Sequence, residues 1–170
     1  RVGHRHRYGH RNYLVLEADE FGRSFLNYSP TLTVVTNIDL EHLDTYKNLT
    51  DIKSAFLKFI SNTQNGGTLI LNRDSKHLFS LKNKINKIAE GKTLKVYWYS
   101  ASRHSRLSGE ARSKWTAHVF VNLHRVIKIP GEHNLSNALA AYTVGRALKV
   151  PEKKILSAIG SYRGSWRRME

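Results

Sequence analysis

The sequence of 170 residues contains no cysteine and has few acidic residues. The absence of cysteine excludes disulfide bonds, thiolate zinc sites and cysteine nucleophiles. No apolar run approaches the roughly 20 residues that span a bilayer, so no membrane partner is expected. Residues 1–11 carry four arginines and three histidines without an apolar stretch, so we expect no signal peptide and a cytoplasmic location. Hydrophobic residues make up 40% and charged residues 24% of the chain, a mixture typical of a globular domain.

Positive charge is in large excess and is unevenly distributed. Lys and Arg total 28 against 13 acidic residues, which gives a formal net charge of +15. Residues 1–11 carry +4 and residues 101–114 carry +3, so two short segments supply +7 of this charge. Both segments lack regular periodicity, and we interpret them as a basic tail and an irregular basic loop. The surplus leaves open a basic nucleic-acid-binding module or a solvated surface without a partner.

Short apolar strands alternate with amphipathic helices along the chain. In the helix predicted over 51–62, Ile52, Ala55 and Phe59 share one face, and Thr50 is the expected N-cap. The alternation predicts the α/β class, a mainly parallel sheet flanked by helices. A small antiparallel hairpin is predicted from 116–121 and 124–129. The other predicted strands are 12–18, 31–37, 68–72 and 94–99, and the other predicted helices are 75–89, 134–148 and one beginning at Pro151.

Polar side chains follow the first two predicted strands. Glu17 closes the first strand, and a polar stretch containing His42 and Asp44 follows the second. Ligands of open parallel sheets bind beyond the carboxyl ends of the strands. A carboxylate and an imidazole there can hold a divalent metal when phosphate oxygens complete the coordination, with Asp44 orienting the ring. The spacing alone leaves open the alternative of a surface histidine in a polar loop.

Two polar groups near the C-terminus are compatible with a nucleotide. Asn134 and Asn137 lie three residues apart at the start of a predicted helix, so they share a face, and helix N-termini favour phosphate and polar ligands. Ordinary N-capping by Asn134 is the alternative. Arg167 and Arg168 follow a glycine turn and suit phosphate clamping, against the alternative of a solvated basic end.

Five motifs follow one another along the chain. They are Leu16-Glu17-Ala18-Asp19-Glu20, Ser24-Phe25-Leu26, Val35-Thr36-Asn37-Ile38 with Glu41-His42-Leu43-Asp44, Pro130-Gly131-Glu132-His133-Asn134 with Asn137-Ala138, and Gly164 with Arg167-Arg168. In this order they resemble the Mur ligase family.

The Glu-Ala-Asp-Glu form is similar to the branch that adds L-alanine to UDP-N-acetylmuramate, or to the branch that recycles murein peptides. The resemblance implies a P-loop-type central domain of an ATP-dependent amide-bond ligase of peptidoglycan synthesis. ATP, UDP-N-acetylmuramate and L-alanine are the implied substrates and Mg²⁺ is the implied cofactor, which argues against a nucleic-acid partner.

The same resemblance implies roles for individual residues. Glu17 and His42 are the implied magnesium ligands. Arg168 is implied to steady the phosphates, and it counts with those two as catalytic. The implied nucleotide-binding set is His133, Asn134, Asn137 and Arg168.

The sequence departs from the family pattern in two respects. Phe21-Gly22 stands where the alanine-adding branch has Ser-Asp, and no phosphate loop of the form Gly-x-x-x-x-Gly-Lys-Ser/Thr occurs. We therefore expect a basic tail at 1–11, part of the central ATP-binding domain at 12–170 with an irregular basic loop at 101–114, and no ligase activity from this chain alone. Loss of the domain's first strand is expected to expose apolar sheet surface.

Overall fold

The structure, a computed structural model, describes residues 6–8, 13–101 and 114–164. Two sheets and several helices form within these ranges, and 3₁₀ turns span Phe21–Asn27. In chain order the strands and α-helices are β1 (His6–Tyr8), β2 (Leu14–Leu16), β3 (Leu32–Val35), α1 (Leu49–Ser61), β4 (Thr68–Asn72), α2 (Lys76–Phe79), α3 (Lys82–Lys92), β5 (Lys95–Tyr99), α4 (Lys114–Val126), α5 (Glu132–Ala147) and α6 (Glu152–Ser161).

Strands β3, β4 and β5 form a parallel sheet with β4 in the middle. Leu32 lies opposite Thr68 in one pair, and Thr68 lies opposite Lys95 in the other. At least one helix follows each of these three strands, and the helices after β3 and β4 form the crossovers that parallel neighbours require. The predicted α/β class is therefore confirmed.

The middle strand β4 is buried on both faces and joins two hydrophobic cores. Leu69 and Leu71 pack into the core built with α1, α2 and α3, whereas Ile70 points to the opposite face and packs with α4, α5 and α6. Alternate side chains of a strand point to opposite faces, so one short apolar run serves both layers. All three side chains are fully buried.

Helix α1 begins one residue after Asn48, whose side chain accepts a hydrogen bond from the backbone N–H of Asp51 at 3.0 Å. The predicted N-cap at Thr50 is wrong, because Asn48 takes the extended conformation of a cap and Thr50 is already helical. The predicted apolar face is confirmed, since Ile52, Ala55, Phe59 and Ile60 are buried.

The single helix predicted over 75–89 is divided into α2 and α3. Ser75 caps α2 by accepting the N–H of Leu78, and the chain turns at Ser80 and Leu81 before α3 begins. Leu78, Leu81 and Ile85 are nevertheless buried as the pattern predicts, because the turn keeps them on the same side. Helix α6 begins at Glu152, directly after Pro151.

The hairpin predicted over 116–121 and 124–129 is wrong, because this stretch forms helix α4. Val119 and Leu123, four residues apart, are both buried and pack with α5 and α6. Side chains four residues apart share a face of a helix and also of a strand, so this spacing is compatible with both structures. Asn122 lies inside the helix rather than in a turn.

Strand β2 does not join the parallel sheet, so the buried strand predicted over 12–18 is only partly correct. Its three residues pair antiparallel with β1, with His6 opposite Leu16. The side chains of β2 are exposed, and Val15 is 68% exposed. Among the described residues, the sheet edge at β3 has no further strand. The residues of β3 are themselves buried or half-buried, so the expected exposure of apolar sheet surface stays a prediction.

Two predicted segments fall largely outside the description. Of the expected tail at 1–11, only 6–8 is described, and it is a strand. Of the expected loop at 101–114, residues 102–113 lie outside the described residues, and Lys114 begins α4. Across the described ranges, no helix has the length and apolar character needed to cross a membrane.

Replacing one buried and one exposed leucine by alanine tests the two-sided burial of β4. Leu69→Ala should lower the free energy of unfolding by about 2–5 kcal/mol, because it leaves a cavity in the core. Leu43→Ala is the matched control, since Leu43 is 72% exposed, and it should change stability by less than about 0.5 kcal/mol. Urea denaturation followed by circular dichroism gives both values. Equal losses would show that β4 is not the central buried strand.

Candidate functional site

The loop between β3 and α1 is anchored by buried side chains. Ile38 and Tyr46 belong to the core beside α1, and the backbone N–H of Ile38 donates to Oγ of Ser75 at 3.3 Å. His42 has a left-handed φ of 54°, and its carbonyl accepts the N–H groups of Thr45 and Tyr46 at 2.8 and 3.0 Å. Non-glycine residues seldom adopt this conformation, so the turn gives His42 a defined orientation.

Three metal-ligating side chains meet beside this turn. One ligand atom from each of Glu20, Glu41 and His42 lies within 4.8 Å of the other two. Nε2 of His42 is 3.5 Å from Oε1 of Glu20. The ring of Phe21 meets the imidazole edge-on, with ring centroids 5.4 Å apart. The Phe-Gly departure from the family pattern thus places an aromatic ring against the histidine.

Two carboxylates and one imidazole form a suitable donor set for a divalent cation. Carboxylate oxygens suit Mg²⁺ and Mn²⁺, and imidazole is a ligand for first-row transition metals. Mg²⁺ in nucleotide sites keeps waters and phosphate oxygens in part of its coordination sphere, so a few side chains on one side are enough. The residues present therefore fit the metal that the family resemblance implies.

Glu17, the other predicted metal ligand, lies directly after β2 and is exposed. It is not a member of the group formed by Glu20, Glu41 and His42. Glu20 and Glu41 were part of the motifs but were not predicted as ligands. Their position beside Glu17 and His42 in the sequence is the signal that pointed to this region.

Further side chains connect α1 to the two chain segments that carry Glu20 and His42. Arg23 donates from Nη2 to both carboxylate oxygens of Asp51, at 2.7 and 2.8 Å, and its guanidinium lies 5.0 Å from the ring centroid of Tyr46. The hydroxyl of Tyr46 donates to the carbonyl of Glu20 at 2.7 Å. The Arg23 guanidinium, followed by the backbone N–H of Lys47, lowers the pKa of Asp51, whereas burial raises the pKa of Tyr46.

A cavity of about 590 Å³ lies between the end of α4 and helices α5 and α6. His133, Asn134 and Asn137 line it, so the structure brings the three described members of the predicted nucleotide-binding set together. The amide of Asn134 donates to the carbonyl of Pro130 at 2.7 Å, which fixes the turn before α5. The other residues that line the cavity are mostly apolar, as is typical of small-molecule sites.

Asn72 connects the carboxyl end of the sheet to α5. Its amide nitrogen is 2.9 Å from the carbonyl oxygen of Thr36, at the end of β3, and 3.4 Å from the hydroxyl of Ser136. Ser136 lies in α5 between Asn134 and Asn137. The polar loop after β3 and the beginning of α5 therefore lie at the same edge of the sheet. Arg167 and Arg168, predicted to contact phosphates, lie outside the described residues.

A parallel α/β domain with polar side chains at the carboxyl edge of its sheet belongs to the class of proteins that bind their ligands, often nucleotides, at that edge. The family model described as Mur ligase middle domain matches residues 4–145. The chain therefore belongs to the Mur ligase family, whose members are ATP-dependent ligases of peptidoglycan biosynthesis.

Individual relatives agree with this assignment. The chain is 37% identical to UDP-N-acetylmuramate–L-alanine ligase of Desulforapulum autotrophicum over 170 residues, covering 99% of this chain and 37% of that protein. It is 37% identical over 166 residues to the ligase of the same name from Desulfotalea psychrophila, covering 95% and 36%. The chain thus spans little more than a third of these relatives.

A solved structure resembles the fold. The crystal structure of UDP-N-acetylmuramate:L-alanyl-gamma-D-glutamyl-meso-diaminopimelate ligase from Neisseria meningitides matches with a TM-score of 0.62 and 21% sequence identity. The match covers 90% of this chain and 48% of the other. This likeness supports the architecture of the domain.

Carboxylate and imidazole variants test the donor set. His42→Ala and Glu20→Gln should each lower the affinity for Mn²⁺ by about tenfold or more, since tenfold corresponds to about 1.4 kcal/mol per lost contact. Glu90→Gln, on the exposed side of α3, is the matched control and should bind normally. Electron paramagnetic resonance of free Mn²⁺ measures the affinity.

Glu17→Gln tests the metal ligand that the family resemblance predicts. If Glu17 is a ligand, this variant should lose as much Mn²⁺ affinity as Glu20→Gln does. An unchanged Mn²⁺ affinity would show that the prediction for Glu17 is wrong. Unchanged affinity in both His42→Ala and Glu20→Gln would exclude the group as a metal site.

Proposed function

We propose that this chain is the ATP-binding part of a ligase that joins L-alanine to UDP-N-acetylmuramate in the cytoplasm. The observation that carries the proposal is that Asn72 links the end of β3, from which the His42 loop continues, to the beginning of α5, the helix that contributes two asparagines to the cavity. Family membership and the names of the relatives support the choice of substrates. The proposal assigns residues 12–170 to the central ATP-binding domain, after a basic segment at 1–11.

The reaction consists of two group transfers. A carboxylate oxygen of UDP-N-acetylmuramate attacks the γ-phosphorus of ATP, the bond to the bridging oxygen breaks, and ADP leaves. The amino nitrogen of L-alanine then attacks the acyl carbon, phosphate leaves with the carbon–oxygen electron pair, and the ammonium proton is released. Such catalysis depends mainly on positioning and on neutralising phosphate charge.

Each part of the site has a distinct task in this proposal. The cavity holds the adenine and ribose, with Asn137 and His133 among its lining residues and Asn134 fixing the turn before α5. His42, with Glu20 and Glu41 beside it, would hold Mg²⁺. Glu17, at the end of β2, is assigned to the same ion from the family motif alone. The bound ion supplies charge neutralisation at the phosphates. Arg168 is assigned to the phosphates from the family motif.

Loss of Asn137 tests the nucleotide site. Asn137→Ala should weaken ATP binding by about three- to tenfold in the presence of Mg²⁺, because a hydrogen bond contributes about 0.5–1.5 kcal/mol net. Asn65→Ala is the matched control, since Asn65 is exposed in the turn before β4, at the amino end of the strands. Isothermal titration calorimetry gives both dissociation constants.

Equal ATP affinities in the two variants would contradict the assignment of the cavity. Tight binding of DNA or RNA that falls steeply with salt, without Mg²⁺-dependent ATP binding, would favour a nucleic-acid-binding module instead.

Turnover by the 170-residue chain tests the expected inactivity. We expect no release of phosphate from ATP, UDP-N-acetylmuramate and L-alanine, because the sequence contains no Gly-x-x-x-x-Gly-Lys-Ser/Thr loop to cradle the phosphates. A colorimetric phosphate assay with each substrate omitted in turn supplies the controls. Substrate-dependent phosphate release would show that this chain carries a complete catalytic site.

A further inference from the structure

Tyr46 is hydrogen-bonded to both segments that supply the metal-binding group. Its hydroxyl donates to the carbonyl oxygen of Glu20 at 2.7 Å, and its backbone N–H donates to the carbonyl oxygen of His42 at 3.0 Å. Glu20 and His42 are 22 positions apart in the sequence, and they reach each other only if these two segments are held together. Tyr46 itself is 1% exposed, so packing holds the residue that donates both hydrogen bonds in one position.

The Arg23–Asp51 pair holds the same two segments from the other side. The backbone N–H of Arg23 donates to the carbonyl of Glu20 at 2.9 Å, and its guanidinium donates to both carboxylate oxygens of Asp51 in the first turn of α1. Asp51 also accepts the backbone N–H of Lys47 at 3.1 Å, one residue after Tyr46. The carbonyl of Glu20 thus accepts two hydrogen bonds, and both donors are fixed against α1.

Stability alone does not explain this arrangement. Arg23 has a left-handed φ of 58°, a conformation that is unfavourable for a residue with a side chain. The ion pair that keeps it there is partly exposed, with side-chain exposures of 40% and 24%, and such pairs contribute little to folding. A strained residue held by a weakly stabilising pair points to a role in the geometry of the site.

We propose that Tyr46 and the Arg23–Asp51 pair are positioning residues that hold Glu20 and His42 at ligand distance for a divalent cation. They act on the metal only through the backbone of the two ligand residues, and they are not ligands themselves. This inference rests on the metal site of the proposed function. Residues that orient metal ligands typically change metal affinity by 10–100-fold when they are replaced.

Tyr46→Phe is the direct test in the 170-residue chain. It removes the hydroxyl and keeps the ring beside Arg23, so Mn²⁺ affinity should fall by about tenfold. Tyr142→Phe is the matched control, because Tyr142 is also 1% exposed and its hydroxyl donates to Oε1 of Glu152 at 3.1 Å in another part of the fold. Electron paramagnetic resonance reports bound Mn²⁺, and thermal unfolding reports stability.

The two readouts separate positioning from general stabilisation. We expect both variants to lose some stability but only Tyr46→Phe to lose Mn²⁺ affinity. Asp51→Asn should reproduce that loss, and it carries the test if Tyr46→Phe does not fold. Wild-type affinity in folded Tyr46→Phe, or in Asp51→Asn when Tyr46→Phe does not fold, would overturn the inference while leaving the metal site intact. Absence of Mn²⁺ binding by the wild-type chain would overturn both.

Discussion

Parallel pairing of β3 with β4 is the constraint on which the candidate site depends. Because parallel strands end at the same edge, the polar loop after β3 and Asn72 at the end of β4 meet there. The two-sided burial of β4 holds the pairing in place, with Leu69 and Leu71 in one core and Ile70 in the other. Asn72 then extends the edge to Ser136 of α5, and through α5 to the cavity.

Charge distribution within this framework is more informative than total charge. The net charge of +15 is compatible with a partner that bears phosphate, but two segments outside the recognised motifs supply almost half of it. The charges that meet at the candidate site are few, and they include the acidic Glu20 and Glu41 beside His42. A magnesium site beside a nucleotide uses one or two carboxylates, and the described residues place two of them beside the imidazole.

Local patterns predicted much of the fold, and motif order predicted the neighbourhood of the site. Strand β4 has the predicted bounds, and α5 begins two residues from the predicted start, because a short apolar run and a Pro-Gly turn are both local features of the sequence. The hairpin over 116–129 failed because short apolar runs fit either a strand or a helix until their packing partners are known.

Contacts between residues far apart in the sequence could not be predicted from local patterns. The Arg23–Asp51 pair joins residues 28 positions apart, and Asn72 reaches Ser136 across 64. Neither residue type nor spacing indicates which arginine meets which aspartate. The approach of Glu20 to His42 likewise depends on the course of the chain between them, which includes the left-handed residues Gly22 and Arg23.

The central claim is that one sheet edge holds both the nucleotide and its metal. A crystal structure of the chain with a non-hydrolysable ATP analogue and Mn²⁺ tests it most directly, since the anomalous signal of manganese locates the ion independently of the nucleotide. The account predicts manganese within ligand distance of Nε2 of His42 and adenine in the cavity beside Asn137. Manganese remote from His42, or a nucleotide outside the cavity, would contradict it.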